Sequence, residues 1–213
     1  MELVRDERGG VTVVRDGHPQ SYVDPDDPLL LVFEYVQHLA LVLESLRPDP
    51  APLATTHVGG AGMTLARWLH RTHPGSPQIV LEPDTALTEL VRRELPLPRG
   101  HRVRVRPQTG QEGVQHLRDA SADVVVVDAY DDGRVPGALA GQAFARELAR
   151  VLAPDGLLLV NAADCPACAG WPGSGPPCAP ACRTSGSSCC ARSPPASATA
   201  TSCWSPRAAR STT

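Results

Sequence analysis

Residues 53–70 read LATTHVGGAGMTLARWLH. A short apolar stretch ends in Gly59, Gly60 and Gly62, then runs directly into a segment with helical apolar spacing. That order is strand, tight turn, helix. Glycine lets the backbone come close to a bound group, and the first turn of a helix offers it free N–H groups. The alternation continues along the chain. Strand-like stretches fall at 53–58 (LATTHV), 78–82 (QIVLE), 102–106 (RVRVR), 123–128 (DVVVVD) and 157–162 (LLLVNA). Helix-like stretches fall at 63–73, 84–95, 111–117 and 141–152. Strands this apolar, alternating with helices, predict an α/β fold with a doubly wound, mostly parallel sheet covered on both faces. Ligands of such sheets sit at the carboxyl ends of the strands, which makes those ends the places to look for chemistry.

Upstream the pattern differs. Val11–Val14 and Gln20–Val23 read as two strands, and the Asp16-Gly17 pair between them is a hairpin turn signal. Asp26 and Asp27 offer helix N-caps, and Pro28 suits a first helical position. The spacing predicts a largely buried helix over 29–46, stopped by RPDP at 47–50. The expected organisation is an N-terminal hairpin and helix (1–47), a nucleoside-binding α/β region (48–164) and a tail (165–213).

Composition bounds the partners. The chain has 213 residues, with 20 basic against 23 acidic side chains, so it carries no basic footprint for nucleic acid. No apolar run is long enough to span a bilayer, and MELVRDERGG is not a signal peptide. A soluble cytoplasmic protein is expected.

Three strand ends carry candidate chemistry. The Gly59-Gly60-Gly62 turn suits a nucleoside. Glu82 follows Gly62 by 20 residues, the spacing at which an acid reaches ribose hydroxyls. Asp128 closes a run of four valines, and Asp131 and Asp132 follow it. Such an acidic mouth suits a cationic amine and removal of its proton. His57 lies inside a strand and reads as a packed core residue. His70 and His73 fit the charge preference of a helix C-terminus. No His, Cys and Asp spacing in residues 1–164 reads as a metal site.

Together these landmarks resemble the spermidine synthase family, polyamine aminopropyltransferases with the fold of S-adenosylmethionine-dependent methyltransferases. The resemblance runs from about Gly10 to Asp164. It rests on RDGHPQSYVD (15–24), FEYVQHLA (33–40), VGGAGMTL (58–65), VLEPD (80–84), DVVVVDAYD (123–131) and LARVLAPDGLLLVNAAD (148–164). The last stretch is common to many methyltransferases, whereas the hairpin followed by Asp-x-x-Asp is more specific. The resemblance implies that Gly59, Gly60 and Gly62 cradle decarboxylated S-adenosylmethionine as co-substrate, with no permanently bound cofactor. It implies that Glu82 holds the ribose and that Thr109 stands near the adenine contact. Asp128 would deprotonate the attacking amine of putrescine or a similar polyamine, Asp131 would anchor it, and Gln20 and Tyr22 would close its channel. Family members pair through their N-terminal regions, so a homodimer is an expectation.

Departures accompany the resemblance. Ala61 stands where the family carries an aspartate. Thr109 stands near an expected Gly-Asp, Phe33 and Glu34 stand at an expected Tyr-His pair, and DGRVPGA follows Asp131. They imply a divergent or inactive member. The alternatives are a methyltransferase using intact S-adenosylmethionine on an unknown acceptor and a non-catalytic nucleoside-binding homologue.

The tail is unlike the rest. All seven cysteines lie at or beyond Cys165, and residues 165–213 hold four arginines, no acid and no Leu, Val, Ile, Met, Phe or Tyr. Such a segment cannot bury a core. Cys165, Cys168, Cys178 and Cys182 have a plausible zinc spacing, but nothing apolar surrounds them. The chain has no lysine and only one asparagine and one isoleucine, which points to a GC-rich gene. Read one base earlier in such a gene, those cysteines and Trp171 become leucines at helical spacing. The tail is therefore expected to be out of frame, disordered as written, and without the strands that would close the sheet.

Overall fold

A computed structural model describes residues 1–130 and 135–162, and the backbone of 200–204. Three N-terminal strands, β1 (Glu2–Arg5), β2 (Val11–Arg15) and β3 (His18–Val23), form an antiparallel sheet in chain order. The predicted hairpin is β2–β3. Asp16 and Gly17 both take positive φ, 51° and 78°, as a tight turn matched to strand twist requires. β1 is an addition to the prediction. It pairs with β2 from Glu2↔Val14 to Arg5↔Val11, and its short, mostly exposed ELVR carries little pattern.

Helix α1 spans Glu34–Leu46, so the expected start at Pro28 is corrected. Asp24 Oδ1 accepts the N–H groups of Asp26 and Asp27, and Asp27 Oδ1 accepts that of Leu29. These local turns take the amides that a helix from Pro28 would have used. Nor is α1 buried all round: Val36, Leu39, Ala40 and Leu43 are buried while Leu41 is 57% exposed.

The remaining elements follow in order: β4 (Thr55–Val58), α2 (Thr64–Thr72), β5 (Gln78–Leu81), α3 (Thr85–Glu94), β6 (Val103–Arg106), α4 (Gly110–Gln115), β7 (Ala122–Val127), a 3₁₀ turn (Gly137–Leu139), α5 (Gln142–Val151) and β8 (Leu152–Ala162). Strand β9 (Ala200–Trp204) completes a six-stranded sheet of order β6-β5-β4-β7-β8-β9. The first five strands are parallel, and β9 runs antiparallel to β8, from Leu158↔Trp204 to Ala162↔Ala200. The expectation that closing strands are missing is corrected to that extent. The rest of the tail, with its cysteine spacing and reading frame, lies outside the described residues.

Strand alternation divides the core. Val125, Val127, Leu158 and Val160 face Phe144, Leu148 and Val151 of α5. Val124, Val126, Leu157 and Leu159 face Val36, Leu39 and Leu43 of α1, with Leu65, Trp68 and Leu69 of α2. Continuing that second series to the strand ends brings Asp128 and Asn161 onto the α1 face. Val11, Val13 and Val23 of the hairpin pack with Ala66 of α2 and with Leu87 and Val91 of α3.

Candidate active site

The sheet order reverses between β4 and β7, since the chain builds outward from β4 to β6 and then crosses back. A crevice opens at such a switch point, beyond the carboxyl ends of the strands. Here it is a cavity of about 620 Å³. Gly59, Gly60, Glu82, Thr109, Asp128 and Tyr130 are among its walls. Arg15 and Asp84 lie 3.9 Å apart at its rim.

Gly59 takes φ +94°, and a Cβ there would strike the carbonyl of Asp128, so the two strand ends meet backbone to backbone. Gly60 N–H donates to Glu82 Oε2 at 3.0 Å, with the Ala61 N–H at 3.4 Å, while Glu82 Oε1 accepts from Asp84 N at 3.0 Å. The carboxylate of Glu82 is thus held by backbone amides on both oxygens at the cavity wall. Gly62 corrects the simple reading of the turn as a nucleoside cradle. It lines no described cavity, and its N–H donates to Ser21 Oγ of β3 at 2.8 Å. A Cβ on Gly62 would lie 2.6 Å from Ser21 Oγ and 2.8 Å from Val23 Cγ2. This glycine exists for the hairpin that docks on it.

Asp128 is partly buried and faces the cavity. Asn161 Nδ2, at the end of β8, donates to Asp128 Oδ1 at 3.0 Å. The Tyr35 hydroxyl, from the first turn of α1, donates to the same carboxyl. Burial pushes the Asp128 carboxyl above the ordinary aspartate range, and the two donors oppose that rise. Burial and the adjoining Asp128 raise the Tyr35 hydroxyl, so it remains a donor. Asn161 is 3% exposed, and its backbone oxygen accepts the Tyr130 hydroxyl at 2.7 Å. A carboxylate held this way, open to a cavity on one side, can take a proton from a group bound in that cavity.

Thr109 lines the cavity as the N-cap of α4, and its Oγ1 accepts Glu112 N at 3.2 Å. Gln20 also lines it. Tyr22 does not, and the expected channel role is corrected: its hydroxyl donates to Asp6 Oδ2 at 2.8 Å, inside the N-terminal sheet. Asp131 and Asp132 lie outside the described residues. His73 is 3% exposed and bonds Thr72 and Arg47, so it packs rather than serving as an exposed helix-end charge.

The sequence reading does not single out Tyr35, Asn161 or Ser21. Asn161 was findable, because it ends the apolar strand LLLVNA just as Asp128 ends DVVVVD. Tyr35 depends on how α1 crosses the strand ends, and Ser21 on hairpin docking. Neither leaves a local pattern.

No family model matches the chain. A polyamine aminopropyltransferase from Neisseria meningitidis serogroup A is 27% identical over 143 residues, which cover 67% of this chain and 53% of that protein. The chain thus spans about half the length of the curated relatives it matches. A probable spermidine synthase from Corynebacterium glutamicum superposes with a TM-score of 0.69 at 30% identity, covering 76% of this chain and 60% of that one. Human methyltransferase-like protein 13, in complex with SAH, superposes with a TM-score of 0.53 at 23% identity over 61% of this chain and 64% of that one, a likeness of fold alone. The resemblance read from the motifs is borne out: the chain is a relative of the spermidine synthase family and has the methyltransferase-type fold.

Proposed function

We propose, for a chain so related, that it transfers an aminopropyl group from decarboxylated S-adenosylmethionine to an amine such as putrescine. The observation that carries this reading is Asp128: a partly buried carboxylate at the switch point, held by Tyr35 and Asn161, facing a cavity large enough for a nucleoside and an amine. Glu82 and the Gly59-Gly60 turn hold the nucleoside. The amine enters beside Asp128, which takes a proton from it. The freed nitrogen lone pair attacks the aminopropyl carbon next to the sulfonium. A C–N bond forms, the C–S bond breaks with its electron pair going to sulfur, and methylthioadenosine leaves neutral. The reaction needs orientation and a base, which the cavity walls and Asp128 supply.

A second reading has one observation behind it. Ala61, at φ +35° in the glycine turn, offers no carboxylate to a cationic donor tail. This favours intact S-adenosylmethionine and methyl transfer. Incubation with decarboxylated S-adenosylmethionine and putrescine, with mass-spectrometric detection of spermidine and methylthioadenosine, tests the first reading. Product formation supports it. Tight binding of intact S-adenosylmethionine without such product sinks it in favour of the second.

Among the described residues no helix is long and apolar enough to cross a membrane. We assign the chain to the cytoplasm, and as a homodimer, on the family resemblance.

A further inference from the structure

Arg67 and His70 lie three residues apart on α2, and the segment from Leu95 to Arg102 rests on both. The Leu95 carbonyl accepts Arg67 Nη2, and the His101 ring lies against that of His70 with centroids 3.7 Å apart. We propose that His101 is a proton-operated latch: a second proton on its ring releases residues 96–102 from α2 and slackens the glycine turn that Arg67 braces.

The surroundings of the ring admit one proton and refuse two. His101 Nδ1 is sealed from solvent and has no hydrogen-bond partner among the described residues. A proton there would be a buried donor without an acceptor, so the neutral ring carries its proton on Nε2. A second proton has only Nδ1 to take. It would also meet basic neighbours, since His70 and Arg67 of α2 both act on the ring. Arg99 and Arg102 flank His101 on its own segment, and Arg102 Nη1 donates to the Gly75 carbonyl at 3.0 Å. Among the described residues no acid is ion-paired with Arg67, His70 or His101. Burial, then His70 and Arg67, bring the His101 pKa down to about 4. Released into water, the ring returns to its ordinary value of about 6.5. The open form therefore binds the proton more tightly. Closure is fully favoured above about pH 6.5 and is lost as pH falls from there toward 4.

Arg67 carries the change to the turn. It is 5% exposed, and burial alone lowers its pKa to about 10. Its Nε donates to the Gly62 carbonyl at 3.1 Å while Nη2 donates to that of Leu95. One buried cation thus spans the glycine turn and the end of α3. When residues 96–102 leave α2, water reaches the guanidinium, and a charge so uncovered gives up buried carbonyls for solvent. The Gly62 carbonyl then loses its donor. Gly59 and Gly60 of the same turn wall the main cavity. That a slack turn weakens nucleoside binding rests on the proposed function, whereas the latch itself does not.

The test is amide hydrogen exchange of the full chain between pH 7.5 and 5, corrected for the intrinsic pH dependence of exchange. The opening equilibrium of 96–102 should rise by up to about tenfold for each pH unit below about 6.5, and that of 60–63 should rise with it. His101→Phe keeps a ring against His70 but has no proton to take, so both rises should flatten. His57 of β4 is also buried, with its pKa brought down to about 4, so exchange in β4 serves as the control and should be the same in both chains. A flat 96–102 in the unaltered chain, a 60–63 that does not follow it, or an undiminished rise in His101→Phe overturns the proposal. Should His101→Phe not fold, histidine ¹⁵N resonances of the unaltered chain decide. A bare His101 Nδ1 at pH 7.5 that titrates well below 6.5 supports the latch, and a protonated Nδ1 or a midpoint at 6.5 or above overturns it. Methylthioadenosine affinity, measured over the same interval, separates the two readings. A working latch with no methylthioadenosine binding at any pH removes the proposed function alone. Binding with a flat 96–102 removes the latch alone.

Discussion

Asp128 sits where burial and hydrogen bonding pull its protonation in opposite directions, and burial prevails. Its folded pKa therefore exceeds the value of about 3.9 for an unfolded chain. The folded form binds more protons through the interval between the two, so stability falls as pH rises through it and stays lower above it. Asp128→Asn should raise the unfolding free energy at pH 7 by about 1.4 kcal/mol for each pKa unit relieved, read as a higher melting temperature, and the gap should close below about pH 4. The same variant should abolish transfer while methylthioadenosine still binds. Retained turnover would remove Asp128 as the base. Asn161→Leu takes away one of the two donors, so the acid limb of the pH–rate profile should move to higher pH. An unmoved limb would mean that Asn161 only fills space. Asp128 was legible in the sequence because a carboxylate closing four valines has few places to go but a strand end. Tyr22 was misplaced because an aromatic residue beside a candidate channel carries no sign of an Asp6 that holds it elsewhere.

At the scale of elements, the hairpin and the glycine turn form one unit. Ser21 accepts the Gly62 N–H, and the Thr64 hydroxyl donates to the Tyr22 carbonyl at 2.7 Å. Gly62→Ala should cost about 1–3 kcal/mol, because the methyl must displace Ser21 and Val23 in a packed contact. Ser21→Ala should cost about 1–3 kcal/mol by leaving the Gly62 N–H buried without an acceptor. Chemical denaturation of both variants checks the pair, and a neutral Gly62→Ala would show that the hairpin is only loosely seated. The parallel strands were legible as short, nearly continuous apolar runs such as 123–128, and the helices between them by apolar spacing near 3.6. The start of α1 was not, because Pro28 and two aspartates make as good a turn as a cap. The use of Gly62 was not either, since a glycine that admits a neighbouring strand looks the same in sequence as one that admits a ligand.

For the whole molecule, the sheet is asymmetric. One side of the switch point ends in β6, and the other in β9, drawn from a segment whose composition promised no structure. β9 covers the hydrogen-bonding edge of β8, and an open edge on an apolar strand is a template for association. A chain stopped at residue 199 should form larger species by light scattering than the full chain. Equal masses would show that β9 protects nothing. Sequencing the source DNA across codons 160–213 checks the frame inferred for the tail, and an unbroken frame would retire that reading. The order of the strands was not legible, because alternation names a fold class while long-range pairing sets which strands adjoin. The bond from residue 21 to residue 62 carries a lesson for protein engineering. The glycine turn takes its shape partly from a distant hairpin, so grafting residues 58–65 into another scaffold would move the letters without the form. A chimera would have to carry 15–24 along with them, inherited as a pair.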